Sequence, residues 1–187
     1  IIGPNADQVQ FGDYTWSRNN KDGVTPLQGI KNRVNKNTAI HYAKGCSLTS
    51  LDTSGIAEAV EAAKNSEVAV IFGGSASAAL ARDYKSSTCG EGFDLNDLNL
   101  TGAQSQLIRE VYRTGTPVIL VLVTGKPFVI EWEKNNLPAI LVQWYAGEQA
   151  GNSIADILFG KVVPSGRLTF SFPRSTGHLP VYYNYLP

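Results

Sequence analysis

The 187-residue chain has no methionine, two cysteines and two histidines. Cys46 and Cys89 stand far apart in no metal or redox spacing, and His41 and His178 are isolated, so no metal site is expected. A Cys46–Cys89 disulfide stays open, because free buried cysteine is common. No apolar run approaches the ~20 residues of a membrane span, and no stretch reads as a signal peptide. Lys plus Arg number 16 and Asp plus Glu 16, so no excess charge draws the chain to nucleic acid or to a membrane, and neither is expected as a partner. Gly73-Gly74-Ser75 has neither the G-x-G-x-x-G nor the Walker spacing, and G-x-S-x-G is absent. Nucleotide binding and serine-hydrolase chemistry thereby lose their usual signatures. No cofactor is expected.

What is present suits a globular core: 43% of residues are apolar and 17% charged. With no repeat, linker or low-complexity tract, residues 1–187 read as a single domain. Val68 to Phe72, Val118 to Val123 and Ala139 to Trp144 are continuous apolar runs, the pattern of strands covered on both faces. Ile1-Ile2 reads as the end of a further strand, and Ala39 to Tyr42 as a more polar one near an edge. Arg167 to Phe172 alternates after the Pro164-Ser165-Gly166 turn and predicts an antiparallel strand. Helices are expected over Pro26 to Val34 after Thr25, over Ser54 to Lys64 with Ser54 as N-cap, and over Ala103 to Thr114. Two more are expected over Phe128 to Lys134 and over Glu148 to Phe159. Alternating strands and helices predict an α/β fold: a mostly parallel six-stranded sheet with helices on both faces and one antiparallel strand near the C-terminus. Val68 to Phe72, Val118 to Val123 and Ala139 to Val142 should be its most buried strands. The opening Ile1-Ile2-Gly3 and the missing methionine make an excised or processed fragment the expectation.

In such sheets the loops at the carboxyl ends of strands carry the site. One of them leads to Cys89-Gly90-Glu91-Gly92-Phe93-Asp94, where a carboxylate stands between two glycines that leave room beside it. Read alone, Glu91 is either a solvated loop acid or a site residue. Tyr14 and Trp16 lie in a polar loop after the first strand, and Trp144-Tyr145 ends a central one. Aromatic faces near carboxylates and amides suit sugars, although Trp144 reads better as core. The loop from Gly73 to Gly92, rich in small polar residues, is expected to be mobile.

The motifs occur in a telling order: Ile2-Gly3-Pro4-Asn5-Ala6, Gly12-Asp13-Tyr14-Thr15, Gly90-Glu91-Gly92-Phe93-Asp94 and Leu98-x-Leu100-x-Gly102-x-Gln104. Trp144-Tyr145-x-Gly147-x-x-x-Gly151, Pro164-Ser165-Gly166-Arg167-Leu168, Phe172-Pro173-Arg174 and Leu179-Pro180-Val181-Tyr182-Tyr183-Asn184 follow. Together they resemble the second, α/β-sandwich domain of glycoside hydrolase family 3, which includes β-glucosidases and β-xylosidases. The resemblance implies a retaining enzyme acting on terminal β-linked sugars of an oligosaccharide or glycoside. Its nucleophilic Asp would lie in a preceding (β/α)8 barrel, absent from this chain and expected as its partner domain. It implies that Glu91 is the acid/base and that Tyr14 flanks the leaving-group subsite; Trp16 is taken with Tyr14 as a substrate-binding candidate. A secreted or periplasmic parent enzyme is expected, and the chain by itself is expected to be inactive. Two positions depart from the pattern: Leu95 replaces a common Arg, which bears on the support of Glu91, and Thr101 replaces a Pro. Some members place the acid/base in the barrel, so a non-catalytic domain that packs on the barrel and shapes the cleft is the other reading.

Overall fold

Three of the apolar runs lie side by side as parallel strands in the computed structural model, which describes residues 1–17, 19–77, 88–182 and 184. They are β1 (Ala69–Gly74), β2 (Val118–Val123) and β3 (Ala139–Gln143), adjacent in that order. Ile71 is in register with Leu120, and Leu120 with Ile140. Five α-helices accompany them among the described residues: α1 (Pro26–Arg33), α2 (Ile56–Lys64), α3 (Gln104–Tyr112), α4 (Glu131–Asn136) and α5 (Ala150–Leu158). None among the described residues is long and apolar enough to cross a membrane.

A strand sends alternate side chains to opposite faces, and here each face has its own core. Ile71, Leu120 and Leu122 pack with Ile56 and Ala59 of α2 and with Leu107, Ile108 and Val111 of α3. Phe72, Val121 and Val123 pack with Ile30 of α1 and with Ile154 and Ala155 of α5. Each large side chain so buried contributes roughly 1.5–3 kcal/mol of transfer free energy. Thr25 caps α1 by accepting from the Gln28 amide at 3.2 Å, with Pro26 in the first turn, as the sequence predicts. The contact of α1 with α5 is made on glycine: a Cβ on Gly29 would lie 2.0 Å from the Gly151 carbonyl oxygen.

Several expectations are corrected. The sheet has three strands among the described residues, not six. Ile2 continues the parallel order through single bridges to Ile71 and Ala43. Its amide donates to Val70 O at 2.9 Å and its carbonyl accepts from Phe72 N at 2.8 Å. The pairing stops because Gly3 turns away at φ +116, a Cβ there lying 2.3 Å from the Phe72 carbonyl oxygen. Arg167 to Phe172 forms no strand, so the antiparallel member is not found. Its alternation instead brings Phe170 against Trp144, with centroids 5.2 Å apart, and Phe172 against Phe170. β3 is an edge strand without a buried residue, Ala139 exposed and the other four half-buried, because nothing described pairs beyond it, and Val68 is exposed. α4 begins at Glu131 because Phe128 is taken into the core. Gly55, not Ser54, caps α2, while Ser54 bonds to the Asp52 carboxylate. Cys46 and Cys89 are separate buried thiols, so they form no disulfide. The expectation of a mobile loop falls largely on residues 78–87, outside the described residues.

Candidate functional site

The carboxyl end of β1 runs into Ser75, Ala76 and Ser77, and buried side chains hold it from both sides. Gln104, at the start of α3, accepts from the Gly74 amide at 2.8 Å and donates to the carbonyls of Gly74 and Leu48, each at 3.1 Å. Asn5 donates to the carbonyls of Gly73 and Ser75, each at 3.4 Å, and accepts from Gln10 Nε2 at 2.9 Å. Burying these amides without partners would cost about 1–3 kcal/mol per group, so their bonds fix the path of the backbone.

The loop bearing Glu91 starts from this floor. A parallel bridge joins Ser77 to Cys89, and the Thr88 amide donates to Ala76 O at 2.9 Å. Gly90 follows at φ 121 and Gly92 at φ 71, conformations that favour glycine, and the turn closes with Phe93 N donating to Gly90 O at 3.1 Å. This lifts Glu91 out of the sheet edge, exposed.

The loop from Gly12 meets it there. The Glu91 amide donates to Asp13 Oδ2 at 2.9 Å, and the Tyr14 hydroxyl donates to Glu91 Oε2. Tyr14 takes φ 62, a left-handed conformation rare for an aromatic residue. The structure thus brings two of the three sequence candidates, Tyr14 and Glu91, into direct contact. Trp16 is 89% exposed on the same loop, and no bond joins it to Glu91 among the described residues. Asp13, which sequence reasoning passed over, holds the backbone of Glu91, and its Oδ1 is buried without a hydrogen-bond partner among the described residues. The Gly12-Asp13-Tyr14-Thr15 motif contained the signal, since a carboxylate after a turn glycine can bind an amide from another loop.

Below the two loops lies a small polar cluster. Ser75 Oγ and Tyr145 Oη share a hydrogen bond of 2.8 Å, Tyr145 Oη and Cys89 Sγ one of 2.9 Å, and Ser75 Oγ donates to Thr124 Oγ1 at 3.1 Å. Burial, more than the neighbouring Cys89, drives the Tyr145 pKa far above its ordinary value, so the phenol keeps its proton. Beside the cluster, Lys126 Nζ is buried over the Phe128 ring at 4.7 Å without a hydrogen-bond acceptor among the described residues, and burial lowers its pKa. Among the described residues no group of three His, Cys, Asp or Glu could hold a metal.

A cavity of ≈ 380 Å³ with a mixed lining lies beside this site, between the 8–12 and 44–49 loops, lined by Gln8, Phe11, Lys44, Leu48 and Ser77 among others. Glu91 stands outside it. Such an arrangement presents a carboxylate, a phenol and an indole to whatever surface covers the loops; it does not enclose a ligand by itself.

A family model described as the glycosyl hydrolase family 3 C-terminal domain matches residues 1–187. A β-xylosidase of Formosa agariphila is 41% identical over 98% of this chain and 25% of its own length. A periplasmic β-glucosidase of Salmonella typhimurium is 38% identical over 100% of this chain and 26% of its own. The solved structure of a β-glucosidase from Erythrobacter marinus superposes with a TM-score of 0.81 at 34% identity, covering 97% of this chain and 27% of that one. The chain therefore spans about a quarter of the length of these two curated relatives.

Proposed function

We propose, from the premise that the chain belongs to the glycosyl hydrolase family 3 C-terminal domain family, that it supplies the acid/base of a retaining β-glycosidase of glucosidase or xylosidase type. Glu91 is that residue, and the observation that carries the reading is its setting. It is lifted out between two glycines at a strand-end loop, held by Asp13 through its amide and by Tyr14 through its carboxylate, and left open outward. The substrate is a terminal β-linked sugar of an oligosaccharide or glycoside. The second carboxyl group, the nucleophile, comes from the (β/α)8 barrel of the same protein, which covers the exposed loops.

The physics of retention fits that division. Two carboxyl groups about 5–5.5 Å apart flank the glycosidic bond, one as nucleophile and the other as acid and then base. The acid must hold its proton until the leaving group needs it, which exclusion of water beside a second carboxylate achieves. In the first step Glu91 protonates the departing oxygen; in the second it takes a proton from the water that attacks the glycosyl-enzyme. Tyr14 orients the carboxylate, and Trp16 offers a face for the leaving-group sugar. The chain without a nucleophile is expected to be inactive, since general acid catalysis alone contributes about 10²–10⁴-fold.

Glu91→Ala in the whole enzyme tests this. Poor leaving groups should lose most of their glycosylation rate, while dinitrophenyl glycosides still form the glycosyl-enzyme and then stall. Azide, which needs no base, should rescue turnover and give a glycosyl azide of retained configuration. Near-normal rates on cellobiose or xylobiose, or equal slowing of good and poor leaving groups without rescue, would show that Glu91 only shapes the cleft.

A further inference from the structure

Tyr145 touches the bases of both loops that meet at Glu91. Its ring lies against Gly12, where a Cβ would come 2.9 Å from Tyr145 Cδ2, and against Gly125, where one would come 2.9 Å from Tyr145 Cε2. Gly12, at φ +69, is the residue before Asp13 and Tyr14. The hydroxyl reaches the other way, to Cys89 Sγ at 2.9 Å and Ser75 Oγ at 2.8 Å. Cys89 stands two residues before Glu91, and its thiol is tied a second time to Ser75 Oγ, at 3.5 Å. One ring therefore gauges the height of the Gly12–Tyr14 loop, and one oxygen gauges that of the Cys89–Glu91 loop.

The two contacts at the tip, Asp13 to the Glu91 amide and Tyr14 to its carboxylate, both span that gap. The ring lies close to both glycines, which limits its tilt and holds its hydroxyl in one place. That place is the floor to which Ser75 and Thr124 are already bonded.

We infer that Tyr145 is a positioning residue for Glu91, registering the Cys89–Glu91 loop against the Gly12–Tyr14 loop through its hydroxyl on Cys89 and Ser75 and its ring on Gly12. This rests on the reading of Glu91 as acid/base. Tyr145 does not touch the substrate; it acts by fixing where the Glu91 carboxylate stands relative to the departing oxygen. Displacements of about 1 Å at a reacting group cost on the order of 10²-fold in rate, and the loss of one anchoring bond among several should cost less.

The test is Tyr145→Phe in the whole enzyme that carries this domain, assayed on a series of aryl β-glucosides and β-xylosides. The variant keeps the ring between its glycines and deletes the hydroxyl. On poor leaving groups kcat should fall about ten-fold with KM unchanged, while glycosylation by dinitrophenyl glycosides, which need little protonation, loses less than about two-fold. The double variant Glu91→Ala/Tyr145→Phe should be no slower than Glu91→Ala alone, because a residue that acts through another is silent once that other is gone. A Tyr145→Phe enzyme that unfolds more easily but keeps the wild-type dependence on leaving group overturns the inference, and so does a further ten-fold loss on top of Glu91→Ala. Cys89→Ala, which cuts the connection one link nearer Glu91, is run in parallel; should Tyr145→Phe fail to fold, the same outcomes in Cys89→Ala decide. Glu91→Ala separates the two ideas. Without leaving-group dependence or azide rescue in that variant, the reading of Glu91 falls; with both, and with an unshifted Tyr145→Phe profile, only the role of Tyr145 falls.

Discussion

At the carboxyl end of β1, Gln104 and Asn5 have 1% and 0% of their surface exposed and bond the turning backbone at several points. Directly above, Tyr14 and Trp16 are 82% and 89% exposed, and the contacts of Glu91 are with Asp13 and Tyr14 on the neighbouring loop. The floor is closed and self-sufficient, whereas the tip rests on it and faces outward. A buried amide without a partner costs stability, so the floor is held by folding itself. An exposed carboxylate and indole cost little and hold little, so folding does not fix their identity as it does the floor's. Substitutions in the floor should therefore register in stability, and substitutions in the tip in function.

The largest effect expected on stability is at Gln104. Gln104→Leu keeps the bulk but strands the Gly74 amide and the Gly74 carbonyl in the interior, while the Leu48 carbonyl keeps the Thr101 hydroxyl at 2.6 Å. We expect a loss of about 3 kcal/mol, from two unsatisfied groups at roughly 1–3 kcal/mol each less what relaxation recovers. Urea unfolding of the domain measures it. A loss below about 1 kcal/mol would mean that water or another side chain replaces the amide, and the floor would not be the closed element described.

Lys126 is the exception within the floor, and it sharpens the comparison with the opposite sign. Its ammonium is buried with an aromatic face but without a hydrogen-bond acceptor among the described residues. Burial lowers its pKa in the folded state, so the unfolded chain binds that proton more tightly. Folding stability should then rise as pH climbs through the window just below the ordinary lysine value, and the benefit should be missing at lower pH. Lys126→Met should stabilise the domain at neutral pH by about 1 kcal/mol and abolish that alkaline rise. Equal slopes of stability against pH in the two proteins would show that the ammonium reaches solvent.

This contrast also marks what could be read from the residues alone. The runs at Val118 to Val123 and Ala139 to Gln143 are strands at the expected positions because a continuous apolar run has one good use between two layers of helices. Thr25-Pro26 starts α1 because capping is a local affair of three residues. The number of strands was not legible. Ile2 pairs only by isolated bridges, and Arg167 to Phe172 stays unpaired among the described residues; both outcomes depend on a backbone partner distant in the chain. Glu91 and Tyr14 were visible as a glycine-flanked acid and a loop aromatic. Their mutual contact across 77 positions, and the hydroxyl of Tyr145 on a thiol 56 positions away, were not, because neither leaves a periodic trace.

The smallest stability effects belong to the tip, where Trp16→Ala and Tyr14→Phe test the other half of the comparison. Trp16 loses almost no contact on truncation, being 89% exposed. Tyr14→Phe keeps the ring and the left-handed backbone at φ 62 and removes only the hydroxyl that bonds an exposed carboxylate. Surface substitutions of this kind usually stay within about ±0.5 kcal/mol, and both variants should unfold with the wild type. In the whole enzyme the same changes should separate by substrate. If the indole stacks on the leaving-group sugar, Trp16→Ala should raise KM about three- to ten-fold on cellobiose or xylobiose, the worth of one aromatic face, and leave nitrophenyl glycosides closer to normal. Tyr14→Phe should instead lower kcat on poor leaving groups, because the hydroxyl donates to the Glu91 carboxylate. A stability loss above about 1 kcal/mol in either variant would break the comparison: the tip would then support itself, and its open aromatic surface would need an explanation within the domain instead of in the surface that covers it.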